Sequence, residues 1–384
     1  MCICQFIAML GMSLVIPFLP LFVRELGVTD VHETAQWSGF VFSGPFLLSF
    51  FLVPFWGFLG DKYGRKLMVI RAIFGLALAQ LFVGLSQNVY QLVAARLIQG
   101  AISGFLPASL ALISTTTPKE KTGYALGILQ SATSAGMVLG PFFGGTLADT
   151  IGIRPIFFLV AGLCALSGLL VIILVKENKI SDSPQTKYRM RQNFQFIFNF
   201  KQLKILLLLI VIAQTGIGFI QPLFALYVET LNIDHNYLAT TAGVLYGIMG
   251  IFTVIAAPFW GKLSEKISSN KLLLIAASIG SVCYALHFVL YEPLSVMIVR
   301  AFLGFALGGI LPVIYTLVSH NTPLERRGGI MGFASSAQIL GNLMGPILSG
   351  MIALHYGVRL GFLISAGFFL VVGLISFGKI KNSL

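Results

Sequence analysis

Pro54-Phe55-Trp56-Gly57 returns as Pro258-Phe259-Trp260-Gly261, and the recurrence does not stop there. Arg96 returns as Arg300, Pro107 as Pro312, Thr117-Pro118 as Thr322-Pro323, Gly140-Pro141 as Gly345-Pro346 and Arg154 as Arg359. The spacing moves only from 204 to 205, so the two halves run in parallel with almost no insertion. Two equivalent units side by side leave a path between them, which is the parallel-repeat plan of many secondary transporters.

Composition places those units in a membrane. The chain is 57% hydrophobic and 10% charged, against roughly a quarter charged in an ordinary soluble domain. Apolar runs long enough to cross a hydrocarbon core of about 30 Å recur throughout. They cover 2–23, 37–59, 66–86, 89–115, 122–148, 155–175, 204–228, 239–262, 271–291, 294–319, 328–354 and 359–378. Each is continuous rather than a short alternating segment, which predicts helices and not a β-barrel. The expected fold is all-α and integral to the membrane, with twelve transmembrane helices in two pseudo-symmetric six-helix bundles. The bundles are expected over 1–176 and 204–384, joined by a polar linker over 177–203 with an amphipathic surface helix at 194–204.

The net charge of +12 is distributed as topology requires, so a nucleic-acid partner is not expected. With both termini cytoplasmic, Lys62, Arg65, Lys66, Lys119, Lys121, Arg326 and Arg327 fall on the cytoplasmic side, and Arg24, Arg154 and Arg359 on the other. That is the positive-inside bias. Cys2, Cys4, Cys164 and Cys283 lie in apolar runs without metal-ligand spacing, so no metal or cofactor is expected. The first run has no basic leader or small-residue cleavage site and reads as a retained helix, with a start further upstream left open.

Three stretches carry mechanism. Gly57-Phe-Leu-Gly-Asp61-Lys62-Tyr-Gly64-Arg65-Lys66 follows the second run, and its second copy keeps Glu265 but has Ser268 and Ser269 for Gly64 and Arg65. Arg96-Leu-Ile-Gln99-Gly100 puts a costly intramembrane arginine in the fourth run, repeated by Arg300 in the tenth. Gly136-x-x-x-Gly140-Pro141-x-x-Gly144-Gly145 lies in the fifth run, where small residues at four-residue spacing allow close helix approach and proline bends the span.

The first stretch resembles the G-x-L-x-D-[KR]-x-G-R-[KR] signature of the major facilitator superfamily. The third resembles the motif of its drug:proton antiporter branch, and Pro17-Phe-Leu-Pro-Leu-Phe-Val, Trp37-Ser-Gly and Ala125-Leu-Gly resemble bacterial multidrug-efflux transporters of that branch. The resemblance covers the whole chain. It implies a gate in which Gly57, Asp61, Gly64 and Arg65 latch the cytoplasmic end, with the Asp61 carboxylate at the N-terminus of the eleventh helix near Gly328, where unpaired N–H groups favour an anion. It implies a hinge sealed against leak at Gly136, Gly140, Pro141 and Gly144. It also implies a bacterial inner-membrane protein, monomeric, with a small-molecule substrate and protons as coupling ion.

Candidates for substrate binding or coupling are the polar side chains within the runs: Arg96, Gln99, Gln130, Gln214, Gln221, Arg300, Gln338 and Asn342. Phe18, Phe219, Phe224, Tyr227 and Tyr246 offer stacking surface. None of the 13 acidic residues falls in mid-membrane, and arginine does not release a proton. Glu25, Asp149, Glu229 and His287 are therefore the titrating candidates, with a solvated span end the ordinary reading of Asp149 and Glu229. Two cavity arginines would favour neutral, zwitterionic or anionic substrates. The leading expectation is a proton-driven exporter of drugs or small amphiphilic metabolites, anionic ones included. The alternative is a proton-coupled uptake symporter for a sugar, organic anion or other small metabolite. No H-x-x-x-H, mid-membrane acid pair or activated nucleophile points to an enzyme, and a latch makes sense for alternating access rather than for a channel.

Overall fold

A computed structural model of the chain describes residues 1–102, 104–175, 177, 190–264 and 266–379, and these are almost wholly helical. Among the described residues, twelve helical segments are long and apolar enough to cross a membrane: Cys2–Glu25, Val31–Gly60, Arg65–Leu85, Val89–Thr116, Lys121–Ile151, Ile153–Leu174, Lys201–Ile220, Leu238–Ser264, Ser269–Val289, Pro293–His320, Leu324–Tyr356 and Leu360–Gly378. They are numbered spans 1 to 12 in that order. Helices satisfy every interior N–H and C=O within the segment, which lipid cannot do. An even number returns the chain to the end at which it began. That end carries Lys62, Arg65, Lys66, Lys121 and Arg326 and is called the basic end.

Both halves pack by one scheme. Span 1 lies on spans 5 and 6, span 2 on span 4 and span 3 on span 6. In the second half, span 7 lies on spans 11 and 12, span 8 on span 10 and span 9 on span 12. The halves meet where span 2 packs on span 11 and span 5 on span 8. The repeat extends to single hydrogen bonds. Trp56 Nε1 donates to the Ala101 carbonyl at 2.8 Å, and Trp260 Nε1 to the Phe305 carbonyl at 2.7 Å. Arg154 Nη1 donates to the carbonyls of Gly84 and Ser86, and Arg359 Nη1 to those of Phe288 and Leu290. The arginine contacts tie the loop-side ends of neighbouring spans together, and the tryptophan contacts reach the middle of spans 4 and 10.

Prolines break fewer spans than their number implies. Pro17 sits in a 3-10 turn, Ile16–Phe18, that interrupts span 1, and Pro222 follows the end of span 7 before a short helix, Phe224–Val228. Pro141, Pro258, Pro312 and Pro346 all lie inside unbroken helices. Span 4 does break, but at a glycine: helix Val89–Ile102 ends, Gly104 takes φ of +112°, and helix Phe105–Thr116 begins. Span 10 is continuous at the equivalent position.

The surface helix occupies Met190–Asn199, a few residues earlier than expected, because span 7 already starts at Lys201. It buries Asn193 and Ile197 and leaves Phe194 and Phe198 uncovered.

Candidate functional site: the path between the halves

The glycine-proline stretch of span 5 works on two neighbours at once. A β-carbon on Gly136, Gly140 or Gly144 would overlap span 1 at Leu10, Ser13 or Leu14. Ser13 Oγ donates to the Gly136 carbonyl at 2.8 Å in that tight seam. Turned by roughly 100° per residue, Pro141 and Gly145 face span 8 instead. The Pro141 carbonyl is pressed against Gly243, and a β-carbon on Gly145 would lie 2.5 Å from the Ala239 carbonyl.

Span 11 repeats this. Gly341 and Gly345 seat span 7 at Gln214 and Thr215. The Pro346 carbonyl lies 2.5 Å from where a β-carbon on Gly39 would be, and Gly350 abuts the carbonyls of Ala35 and Gln36. Glycines at these sites are what let the halves touch backbone to backbone.

Three polar contacts lock the same end. Arg24 and Glu229 form an ion pair at 2.5 Å. The Asp149 carboxylate, at the end of span 5, accepts from the Ala239 and Thr240 N–H groups at 3.1 and 2.7 Å, at the N-terminus of span 8. His32 Nδ1 lies 2.9 Å from the Ala353 carbonyl, bridging spans 2 and 11. All three lie opposite the basic end. At the basic end, β-carbons on Gly57, Gly123, Gly127, Gly261, Gly328 and Gly332 would meet nothing within 4 Å. The halves are closed at one end and parted at the other.

The expected latch stretch shows a different contact. Gly64 takes φ of +106°, a conformation that favours glycine. Beyond it, the N–H groups of Arg65 and Lys66 donate to the Glu177 carboxylate at 2.8 and 2.9 Å. Glu177 thus caps span 3 from the end of span 6, and a β-carbon on Gly64 would crowd it at 3.1 Å. Arg65 Nη1 donates to the Ala111 carbonyl at 3.2 Å. The side chains of Asp61 and Glu265 lie outside the described residues.

The two repeated arginines stay in their own halves. Arg96 Nε donates to the Val41 carbonyl at 3.0 Å and Arg300 Nε to the Leu245 carbonyl at 2.6 Å. Arg96 also donates to Gln99 Oε1 at 2.5 Å, whereas Arg300 lies 3.8 Å over the Phe224 ring. They are 8% and 2% exposed, so each braces its own bundle. Gln338 accepts from the Tyr315 hydroxyl at 2.7 Å. Asn342 lies one turn further along span 11, half-buried. Gln214 is buried beside Gly341, and Gln221 sits half-buried in the turn after span 7. Gln130 is uncovered and lies on span 5 between the face that seats span 1 and the face that meets span 8.

Glu177 was not foreseen because it lies in what reads as linker, far from Gly64 in sequence. The Arg24–Glu229 pair did leave a signal: its members are 205 residues apart, the repeat spacing itself. Among the described residues no cluster of three or more metal-ligating side chains occurs.

The family model of the Major Facilitator Superfamily matches residues 1–293 and 206–382. The chain belongs to the major facilitator superfamily. Members of this superfamily are transporters and not enzymes. Multidrug resistance protein MdtG of Salmonella typhimurium strain LT2 is 35% identical over 370 residues, covering 96% of this chain and 92% of the relative, and that of Salmonella schwarzengrund is equally similar. Among solved structures, the nucleoside transporter NupG aligns with a TM-score of 0.83 at 14% identity, covering 99% of this chain and 98% of that one. A bacterial homologue of the human lysosomal transporter Spinster aligns at 0.80 with 15% identity, covering 98% and 94%. These last two share the superfamily's fold with this chain.

Proposed function

We propose that this superfamily member exports drugs or small amphiphilic metabolites, anionic ones included, by alternating access coupled to proton antiport. The observation that carries the reading is the closed seam at one end of the two halves opposed to the parted helices at the other. With the basic end in the cytoplasm of a bacterium, as positive-inside bias favours, both termini are cytoplasmic and this is an inward-open form in the inner membrane. The similarity to MdtG multidrug resistance proteins supports export and a broad substrate range.

In this reading the units 1–176 and 204–384 rock about the seam as one monomer, with 177–203 linking them. Gly136, Gly140, Pro141 and Gly144 form the sealed hinge, and Gly57, Asp61, Gly64 and Arg65 the inner gate that closes in the other state. Gln130, Gln214, Gln221, Gln338 and Asn342 offer hydrogen bonds to the substrate. Arg96, with Gln99, and Arg300 stand behind the wall and give it a positive field. Asp149 and Glu229 sit on the moving contact, where a carboxylate that gains or loses a proton changes the closure.

Transport into proteoliposomes under an imposed pH gradient tests this, using a panel of anionic and cationic amphiphiles. Proton-linked movement of at least one member is expected. A rate indifferent to collapse of the gradient removes the antiport reading, and faster uptake by cells carrying the gene removes export.

A further inference from the structure

The surface helix Met190–Asn199 has three sides. One lies on span 11. Asn193 packs so closely on Gly329 that a β-carbon there would overlap it. The Phe194 ring meets that of Phe333 at 6.1 Å, and the Gln192 carbonyl accepts from Arg326 Nη1 at 3.2 Å. Gly329 and Phe333 are about half a turn around span 11 from Gln338 and Asn342. The helix therefore sits on the outer side of its bundle, away from the path between the halves.

The second side is apolar and uncovered. Met190, Phe194 and Phe198 recur at four-residue spacing and are 72%, 50% and 58% exposed, so they form one strip. Its level is that of the bilayer edge. Phe333 is six residues beyond the start of helix Arg327–Tyr356, about 9 Å along it. Lys204 Nζ, from the first turn of span 7, is 5.7 Å from the centre of the Phe198 ring. The chain itself gives the same level, since only Phe200 separates the helix from span 7. The third side, with Gln195 and Asn199, is polar and exposed. One short helix thus presents separate sides to protein, to lipid and to water.

Charge selects the lipid. Between 187 and 204 the sequence has Lys187, Arg189, Arg191, Lys201 and Lys204 and no acidic residue. Arg191 lies beside the strip at its start and Lys204 at its end. Cations on long stems at the edge of an apolar strip suit an anionic headgroup layer. We propose that this helix is a binding site for anionic phospholipid in the basic-end leaflet, with Arg191 and Lys204 on the headgroups and Met190, Phe194 and Phe198 among the upper acyl carbons. Because the opposite side of the helix grips span 11, the bound lipid also tethers the basic end of that span. Such binding needs no transported substrate.

A fluorophore on Gln195→Cys, in the full chain without its four native cysteines, tests this in nanodiscs holding equal parts of phosphatidylglycerol and phosphatidylcholine. A quenching spin label is carried on the acyl chain of one lipid or of the other. A local excess of phosphatidylglycerol of about fivefold or more is expected. Arg191→Gln together with Lys204→Gln should lower that excess by about threefold or more. Phe198→Ser should lower quenching by both lipids. Thermal unfolding should change little in either variant, because all three side chains are exposed. Three results overturn the proposal: equal quenching by the two lipids, an undiminished preference in the folded double variant, or a fluorophore quenched by neither lipid, whether open to water or covered by a second copy.

Discussion

Arg24 and Glu229 occupy the same position in the two halves and meet each other across the seam at 2.5 Å. A pseudo-two-fold axis brings equivalent positions face to face, so an unmodified repeat would oppose like charges there. The first half carries the cation and the second the anion. The pair is partly exposed, at 27% and 18% of its side chains, so its worth is about 1 kcal/mol or less. Glu229→Arg is expected to shift the population toward opening at that end by about fivefold or more, since it adds repulsion. The exchange Arg24→Glu with Glu229→Arg should restore the parent distribution. Spin-label distances between spans 2 and 11 at the basic end report it, and an exchange variant no better than the single one would contradict a direct pairing.

Asp149 holds span 8 by its first N–H groups, where the helix carries partial positive charge. Asp149→Ala removes a cap worth about 1 kcal/mol. Alkylation of a cysteine at position 239, in a background free of the four native cysteines, should speed up by about fivefold. Asp149→Asn should fall between, because one carbonyl oxygen still accepts.

The twelve spans, the repeat and the basic end were legible because each rests on a long apolar run or on side chains that recur at fixed spacing. Glycine spacing in span 5 was legible too, but it could not say which neighbour each glycine meets. Gly140 and Pro141 are adjacent in sequence and face different helices, one inside its own half and one across the seam. Arg96 and Arg300 read as pathway residues because an intramembrane charge needs a partner, and a backbone carbonyl on the neighbouring span supplies it without leaving a mark in sequence. Glu177 caps Arg65 and Lys66 from beyond span 6 for the same reason: the acceptor of a backbone N–H has no fixed spacing.

Gly39 and Gly243 are repeat-related and each lies under a proline carbonyl of the opposite half, Pro346 and Pro141. Gly39→Ala or Gly243→Ala must push spans 2 and 11, or 5 and 8, apart. Overpacking of this kind costs about 1–3 kcal/mol, and here it falls on one conformation only. Both variants should favour opening at the far end and lower transport, and the two sites being separate, their effects should add. Accessibility labelling at that end checks the direction. Gly162→Ala, uncovered in span 6 away from the seam and with open space around it, serves as the silent control.

Gly64 is strained for any other residue, with φ of +106° and the Glu177 carboxylate close by. Gly64→Ala should cost about 1–2 kcal/mol and Glu177→Gln about 1 kcal/mol through the loss of a charged cap. Thermal unfolding in detergent measures both. If Glu177 is the reason for the crowding, joining Gly64→Ala to Glu177→Ala, which removes the crowding atoms as the isosteric glutamine does not, should cost less than the sum of those two single variants.

Arg300 permits a separation of bracing from field. Arg300→Lys keeps the charge but loses the Nε bond to Leu245 and the flat contact on Phe224. Arg300→Met loses the charge as well. Both should lower stability by about 1–3 kcal/mol, because the brace is geometric. Only the methionine variant should move substrate preference from anionic toward cationic amphiphiles, because the field depends on charge and not on shape. Unfolding midpoints and the ratio of anion to cation transport in proteoliposomes read the two effects independently. A lysine variant whose preference shifts as far as that of methionine would place the guanidinium in contact with substrate. A methionine variant that is destabilised but unshifted would leave Arg300 a brace alone and move the positive field to Arg96, whose Arg96→Met variant should then carry the whole change.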